Sequence, residues 1–205
     1  MHISEGVLSV PILAAGAALT VGFTAQGLRS MKAEDVPATG IVSAGLFVAS
    51  LIHVSLGPSS VHLLLNGISG AILGWAIFPA CVVALFLQAL LFQFGGLAVL
   101  GVNVMDMAFP GLIFGALFRM LFVSRGKWAL LLGGFLCSAG GVILTALMTA
   151  GVLALNGEGF MAAAKLIVWA HIPVALIEGF VGAMAVLFLA KVRPGMIGRK
   201  QGELL

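Results

Sequence analysis

The sequence predicts an all-α integral membrane protein, a bundle of about seven transmembrane helices with its amino terminus outside. Three observations lead there. Hydrophobic residues make up 61% of the chain and charged residues 8%, far from the roughly one quarter charged that soluble proteins carry. Seven apolar stretches approach the roughly 20 residues a helix needs to cross a bilayer core. None alternates as a barrel strand would, so helices pair the backbone internally. The basic residues then fall on alternate connections, which orients the bundle by the positive-inside rule.

The first stretch, about 8–28, follows Met1-His2-Ile3-Ser4-Glu5-Gly6, which carries a glutamate and no Lys or Arg. A cleaved signal needs a positive flank, so this stretch reads as a retained first helix, with Met1 and His2 at the mature terminus. Its small residues, among them Ala14 and Ala18, make a close-packing surface for the bundle or for a partner. Arg29 and Lys32 follow it and fall inside. Stretches 39–56 and 61–76 flank an outer turn at Leu56-Gly57-Pro58-Ser59-Ser60, and 78–94 leads to the glycine-bearing outer loop from Gly95 to Asn103. After 107–123, Arg125 and Lys127 fall inside with Arg119. Stretch 128–155 carries Gly133-Gly134 and Gly140-Gly141, and 162–191 ends before the basic tail of Lys191, Arg193, Arg199 and Lys200. Lys165 alone stays near the outer face. Residues 1–205 form one membrane domain: a terminus 1–6, a bundle 7–191 and a cytoplasmic tail 192–205.

A histidine at position two has a specific chemistry. A free terminal amine, the amide nitrogen of residue two and the His2 imidazole can close fused chelate rings on one ion. That nitrogen set suits tetragonal or square-planar divalent metals, nickel and copper above all. His53 and His62 flank the outer turn on the same side, and Asn66 lies four residues beyond His62, on the same face of a helix beginning there. His62 is the preferred further ligand and His53 the reserve. The last stretch places His171 and Glu178 seven residues apart, about 10 Å along one face. An intramembrane carboxylate is a functional candidate by default, and structural and transport roles stand level for this pair. Asn103 and Asp106 are candidates to support the site. Cys81 and Cys137 sit singly in separate apolar stretches and read as core residues. No Walker-type glycine loop followed by Lys-Ser or Lys-Thr occurs, so the chain holds no P-loop ATP site.

Met1-His2-Ile3-Ser4-Glu5-Gly6, Ser59-Ser60-Val61-His62, Gly95-Gly96-Leu97 through Gly101-Val102-Asn103, and His171-Ile172-Pro173 through Glu178-Gly179 together resemble the CbiM/NikM family. The match runs from the first residue almost to the end of the seventh stretch. Its members are the substrate-capturing S components of energy-coupling factor (ECF) transporters, importers of cobalt or nickel. The resemblance implies a Ni²⁺ or Co²⁺ substrate held by the amine of Met1, the backbone nitrogen and imidazole of His2, and an imidazole matching His62. Many relatives are richer in small polar residues after that histidine, which keeps His53 as an alternative. It also implies partners: a transmembrane T component, ATPase subunits and a small accessory membrane protein. The setting is the cytoplasmic membrane of a prokaryote, crossed several times, with no nucleic acid and no catalysis in this chain. The competing function is a proton-coupled secondary transporter of divalent metals, using His171 and Glu178. An intramembrane enzyme is weaker, because no His-Glu-x-x-His pair or Ser/Lys dyad occurs.

Overall fold

A computed structural model describes residues 2–51, 53–56 and 59–198, apart from the side chains of His53, Ser55 and Leu56. Met1, Arg199 and Lys200 lie outside the described residues, as does the end of the tail. The helices are α1 (Val10–Ser30), α2 (Val36–Ala49), α3 (Asn66–Leu73), α4 (Ile77–Phe92), α5 (Leu100–Leu121), α6 (Lys127–Leu155) and α7 (Met161–Val192). An antiparallel hairpin, β1 (His53–Leu56) and β2 (Ser59–His62), joins α2 to α3.

By length and composition five helical stretches could cross a membrane, 10–30, 66–92, 100–121, 127–155 and 158–192, the second of them broken at Gly74 into α3 and α4. The second and third predicted stretches are therefore corrected. In place of 39–56 the chain makes α2, with 14 residues, about 21 Å long, and then turns into the hairpin. In place of 61–76 it finishes β2 and makes α3, with 8 residues, about 12 Å. Neither matches a bilayer core of about 30 Å. The physical cause is a period-two segment: Val54 faces Val61 across the hairpin and His53 faces His62, so backbone groups pair between strands. α3 is bounded by two left-handed residues, Leu65 at φ +52° and Gly74 at φ +56°.

The chain reverses after each helix. α3 runs in the direction of α5, with Asn66 beside Met107 and with a Cβ on Gly70 placed 1.8 Å from the Gly111 carbonyl oxygen. The chain then turns at Gly74, and α4 returns to meet the start of α5 through residues 93–99. α5, α6 and α7 surround α3, so a helix too short to span is shielded by protein, as non-spanning backbone at membrane depth must be. Glycines let these backbones touch: a Cβ on Gly67 would meet the Cys137 carbonyl oxygen at 2.3 Å. The same holds in the last two helices, where a Cβ on Gly182 would meet Ser138 Oγ at 1.9 Å. Charge closes both ends of α3. The Glu178 carboxylate of α7 accepts the N–H groups of Leu64 and Leu65, and Arg119 of α5 donates to the carbonyls of Ala71 and Ile72 at 2.6 and 2.7 Å. Anion at the amino end and cation at the carboxyl end complement the helix dipole.

Two polar ends result. At one, residues 2–9, the hairpin, the 93–99 loop and the turn before α7 come together. At the other, Ser30, Glu34, Asp35, Arg119 and Arg193 line an open cavity of about 740 Å³. Arg29, Lys32, Arg125, Lys127 and Lys191 lie toward this second end by connectivity, whereas Lys165 in the first turns of α7 lies toward the first. α1 packs on α5 and α4 along a narrow stripe of Gly16, Thr20 and Gly27. Ala14 and Ala18 face away from it, exposed.

Candidate metal centre

The amino-terminal segment is folded into the first end as an added strand. Ile3 forms an antiparallel bridge with Ser59, and Ser59 Oγ donates to the His2 carbonyl at 2.9 Å. On the opposite side Asn103, in the first turn of α5, reads the Ile3 backbone with both amide atoms. Oδ1 accepts from Ile3 N at 2.8 Å and Nδ2 donates to Ile3 O at 3.2 Å. Glu5 extends the dock: its N–H reaches the Gly95 carbonyl at 2.9 Å, and its Oε1 accepts from Ala98 N at 2.8 Å. Farther along, Asn156 Oδ1 accepts from Ser9 N at 2.7 Å while its Nδ2 donates to the Val7 carbonyl.

The 93–99 loop can come this close because of its glycines. Gly95 has φ +75°, and a Cβ there would lie 2.8 Å from Asn103 Nδ2 and 3.4 Å from His2 Cβ. Gly96 has φ +126°, and its Cβ would lie 2.2 Å from Glu5 Cγ. Both positions combine a left-handed backbone with no room for a side chain.

The consequence is that two histidines distant in sequence lie side by side. The His2 and His62 rings are buried, with centroids 4.7 Å apart and planes inclined by 31°, and Phe94 covers His2 with its centroid at 6.4 Å. His62 Nδ1 is 2.7 Å from the carbonyl of Leu63, which makes Nδ1 the N–H donor and leaves Nε2 with a lone pair. That is the arrangement by which a metal-binding imidazole is fixed in one tautomer. Burial, reinforced by neighbouring positive charge including that of His2 and His171 and opposed by the Leu63 hydrogen bond, holds the His62 imidazolium pKa well below its usual 6.5. The ring is therefore neutral, and ready as a ligand, at neutral pH.

The other candidate residues fall at different distances from this pair. His53 faces His62 across the hairpin in register, and its side chain lies outside the described atoms. Asn66 is not beside His62 on a helical face, because residues 59–62 are a strand in which neighbours alternate sides. Its Nδ2 instead ties helices together, donating to Thr145 Oγ1 at 2.9 Å and to the Met107 carbonyl at 3.1 Å. Asp106 likewise accepts from Thr149 Oγ1 at 2.8 Å. Glu178 secures the turn that follows His62, through Leu64 and Leu65, and His171 is wholly buried with Nδ1 2.7 Å from the Ile167 carbonyl.

Sequence reasoning singles out the ends of this assembly and, among its fastenings, Asn103. Ser59 reads only as turn, Asn156 carries no motif, and the contact of Glu178 with the entry to α3 requires knowing that α3 is short. Among the described residues no group of three or more His, Cys, Asp or Glu side chains converges.

The chain is similar to known proteins along nearly its whole length. The sequence pattern of a family described as the CbiM cobalt uptake substrate-specific transmembrane region matches residues 2–196. A Haemophilus influenzae protein, provisionally named a metal transport protein, is 41% identical over 98% of both chains. The cobalt transport protein CbiM of Sorangium cellulosum is 32% identical over 98% of this chain and 96% of its own. Among solved structures, a truncated transition metal transporter superposes with a TM-score of 0.80 at 26% identity, over 93% of this chain and 99% of that one. The chain belongs to the CbiM family.

Proposed function

We propose that this chain is the metal-capturing membrane subunit of an ATP-driven, ECF-type importer of cobalt or nickel ions. The observation that carries the proposal is the burial of His2 against His62 at the end of the bundle opposite most of the basic residues. In this reading the amine of Met1, the amide nitrogen and imidazole of His2, and Nε2 of His62 hold the ion. That end faces outward, with the amino terminus outside, in a bundle of seven helices in which α2 and α3 are too short to cross alone and extended chain completes their traverse. The distribution of Arg29, Lys32, Arg119, Arg125, Lys127, Lys191 and Arg193 toward the other end supports that orientation. The names of the relatives support cobalt or nickel as the substrate. Cu²⁺ would bind at least as tightly on intrinsic affinity, so selection rests on availability, geometry or the transport step.

In this reading ATP hydrolysis belongs to partner subunits, in keeping with the lack of a P-loop motif in this sequence, and a transmembrane T component and a small accessory membrane protein complete the complex. The exposed small residues Ala14 and Ala18 on α1 offer a surface for such a partner. Against a proton-coupled secondary transporter stands the use of both Glu178 oxygens as acceptors for the entry to α3, a fixed structural task. Uptake of ⁶³Ni²⁺ or ⁵⁷Co²⁺ by cells expressing the chain with its neighbouring transport genes tests the reading. Uptake should stop when the partner ATPase is inactivated; uptake that persists would overturn the ATP-driven mechanism.

A further inference from the structure

The end of the bundle opposite His2 and His62 holds the cavity of about 740 Å³ that Arg119 and Arg193 line, and the proposed function leaves it unused. Arg119 lies in the last turn of α5 and Arg193 directly follows α7, so both stand where helices leave the apolar core and lipid phosphates begin. The Ala71 and Ile72 carbonyls hold Nε and Nη2 of Arg119, which fixes the guanidinium in place. The two carboxylates of the lining are already engaged. Asp35 Oδ2 accepts from Lys32 N at 2.9 Å, and Glu34 Oε1 is 3.6 Å from Lys32 Nζ. Among the described residues neither arginine pairs with a carboxylate, so the cavity carries positive charge in excess.

This cavity adjoins another. Met31 and Thr39 line both it and an apolar groove of about 410 Å³ between α2 and α4. Gly40, Ala44 and Phe47 make one wall, and Pro79, Val83 and Leu87 the other. Ser43 Oγ fastens the two helices behind them by donating to the Ala80 carbonyl at 2.9 Å. From Val36 to Phe47 the groove runs along α2 for about 16 Å. That is about half of a bilayer core of about 30 Å, the depth of one leaflet. Gly40 leaves the groove open, since a Cβ there would meet nothing within 4 Å.

We propose that this end binds one anionic phospholipid, with its phosphate on Arg119 and Arg193 and one acyl chain in the groove between α2 and α4. The excess of positive charge selects an anionic headgroup over a zwitterionic one, whose ammonium would meet Glu34 and Asp35 already turned to Lys32. The adjoining groove selects a lipid over free phosphate, and basic pockets between membrane helices on the side rich in Lys and Arg hold anionic headgroups. Such a lipid ties the short α2 and its partner α4 to the ends of α5 and α7, and so braces the helix least able to cross the bilayer by itself.

Native mass spectrometry of the purified full-length protein tests this, after delipidation and addition of phosphatidylglycerol, phosphatidylethanolamine or phosphatidylcholine with identical acyl chains. The expected result is one phosphatidylglycerol retained per chain, at least tenfold more tightly than either other lipid, and a melting temperature raised by that lipid alone. R193Q should erase the tenfold preference, whereas K191Q, at the same end but outside the cavity, should keep it. G40F fills the groove from an open position and should abolish retention. Equal retention of the three lipids, or equal losses in R193Q and K191Q, would overturn the headgroup assignment, and wild-type retention by G40F would overturn the groove. Lipid-free dimers would give the face to a second copy, and lipid-free monomers would give it to a partner subunit; either outcome overturns the proposal. The comparison of lipids on the wild type decides the matter if a variant does not fold.

Discussion

Removing the Asn103 amide is the sharpest perturbation of the docked terminus. Its two atoms satisfy both polar groups of the Ile3 backbone, at 2.8 and 3.2 Å, in a buried setting. N103A leaves a buried N–H and a buried carbonyl unpaired. Each loss costs about 1–3 kcal/mol when no water replaces the partner. The cost is capped, because the segment can undock, and the remaining fastenings through Ser59, Glu5 and Asn156 resist that. A net of about 3 kcal/mol falls on the docked state, which corresponds to about 100-fold weaker metal binding. Asp at this position still accepts from Ile3 N but sets an oxygen against Ile3 O, so N103D should also bind weakly. Calorimetric titration of the purified protein with Ni²⁺ and Co²⁺ reads the effect, with circular dichroism confirming the helices. N103A binding within threefold of wild type, in a folded protein, would refute the coupling of docking to capture.

Three further outcomes follow from the same geometry. E178Q replaces one acceptor oxygen at the entry to α3 by an N–H donor facing another N–H. Charge-assisted bonds contribute about 1.5–3 kcal/mol each, so metal affinity should fall at least tenfold and thermal stability should fall with it; an unchanged melting temperature would contradict the capping role. G96A puts a Cβ at φ +126° within 2.2 Å of Glu5 Cγ, and should loosen residues 2–6, measured as faster amide exchange there, while leaving α5 to α7 protected. The pH dependence has a defined sign. Because the pKa of His62 is lowered well below 6.5, its ring stays neutral as pH falls from 8 to 6.5 and releases no proton on binding. Affinity over that range should fall through the terminal amine, whose pKa is about 7.7–8.0, and through the amide that must ionise. Calorimetry in buffers of different ionisation enthalpy at pH 7 should count about two protons per ion, and a count near three would mean that His62 is protonated in the free protein.

The membrane character, most helix positions and the two ends of the bundle were legible in the sequence, because apolar length and Lys/Arg placement follow directly from bilayer thickness and insertion energetics. His2 and His62 could be suspected of meeting, since the two apolar stretches between them return the chain to the end where it began. The hairpin and the short α3 were not legible. An apolar run such as 61–76 satisfies a hydropathy window whether it starts as a strand or as a helix, and only burial by α5, α6 and α7 permits the shorter element. Asn66 illustrates the consequence: its spacing from His62 had meaning on a helix and loses it on a strand, and its amide binds Thr145 instead. Asn103 was legible as a supporter through the glycine loop before it, whereas Glu178 needed the three-dimensional entry to α3 to show what it holds.

Register at the amino terminus is where the central claim is most exposed. Titration with Ni²⁺ and Co²⁺ should compare the native terminus with a chain bearing one extra residue before Met1, a change that keeps every side chain and moves the amine out of the fused rings with His2. Loss of tight binding in the extended chain, with the fold unchanged, is the expected result. Equal binding by both would contradict the terminal chelate and move the search for ligands to His53, His62, His171 and Glu178.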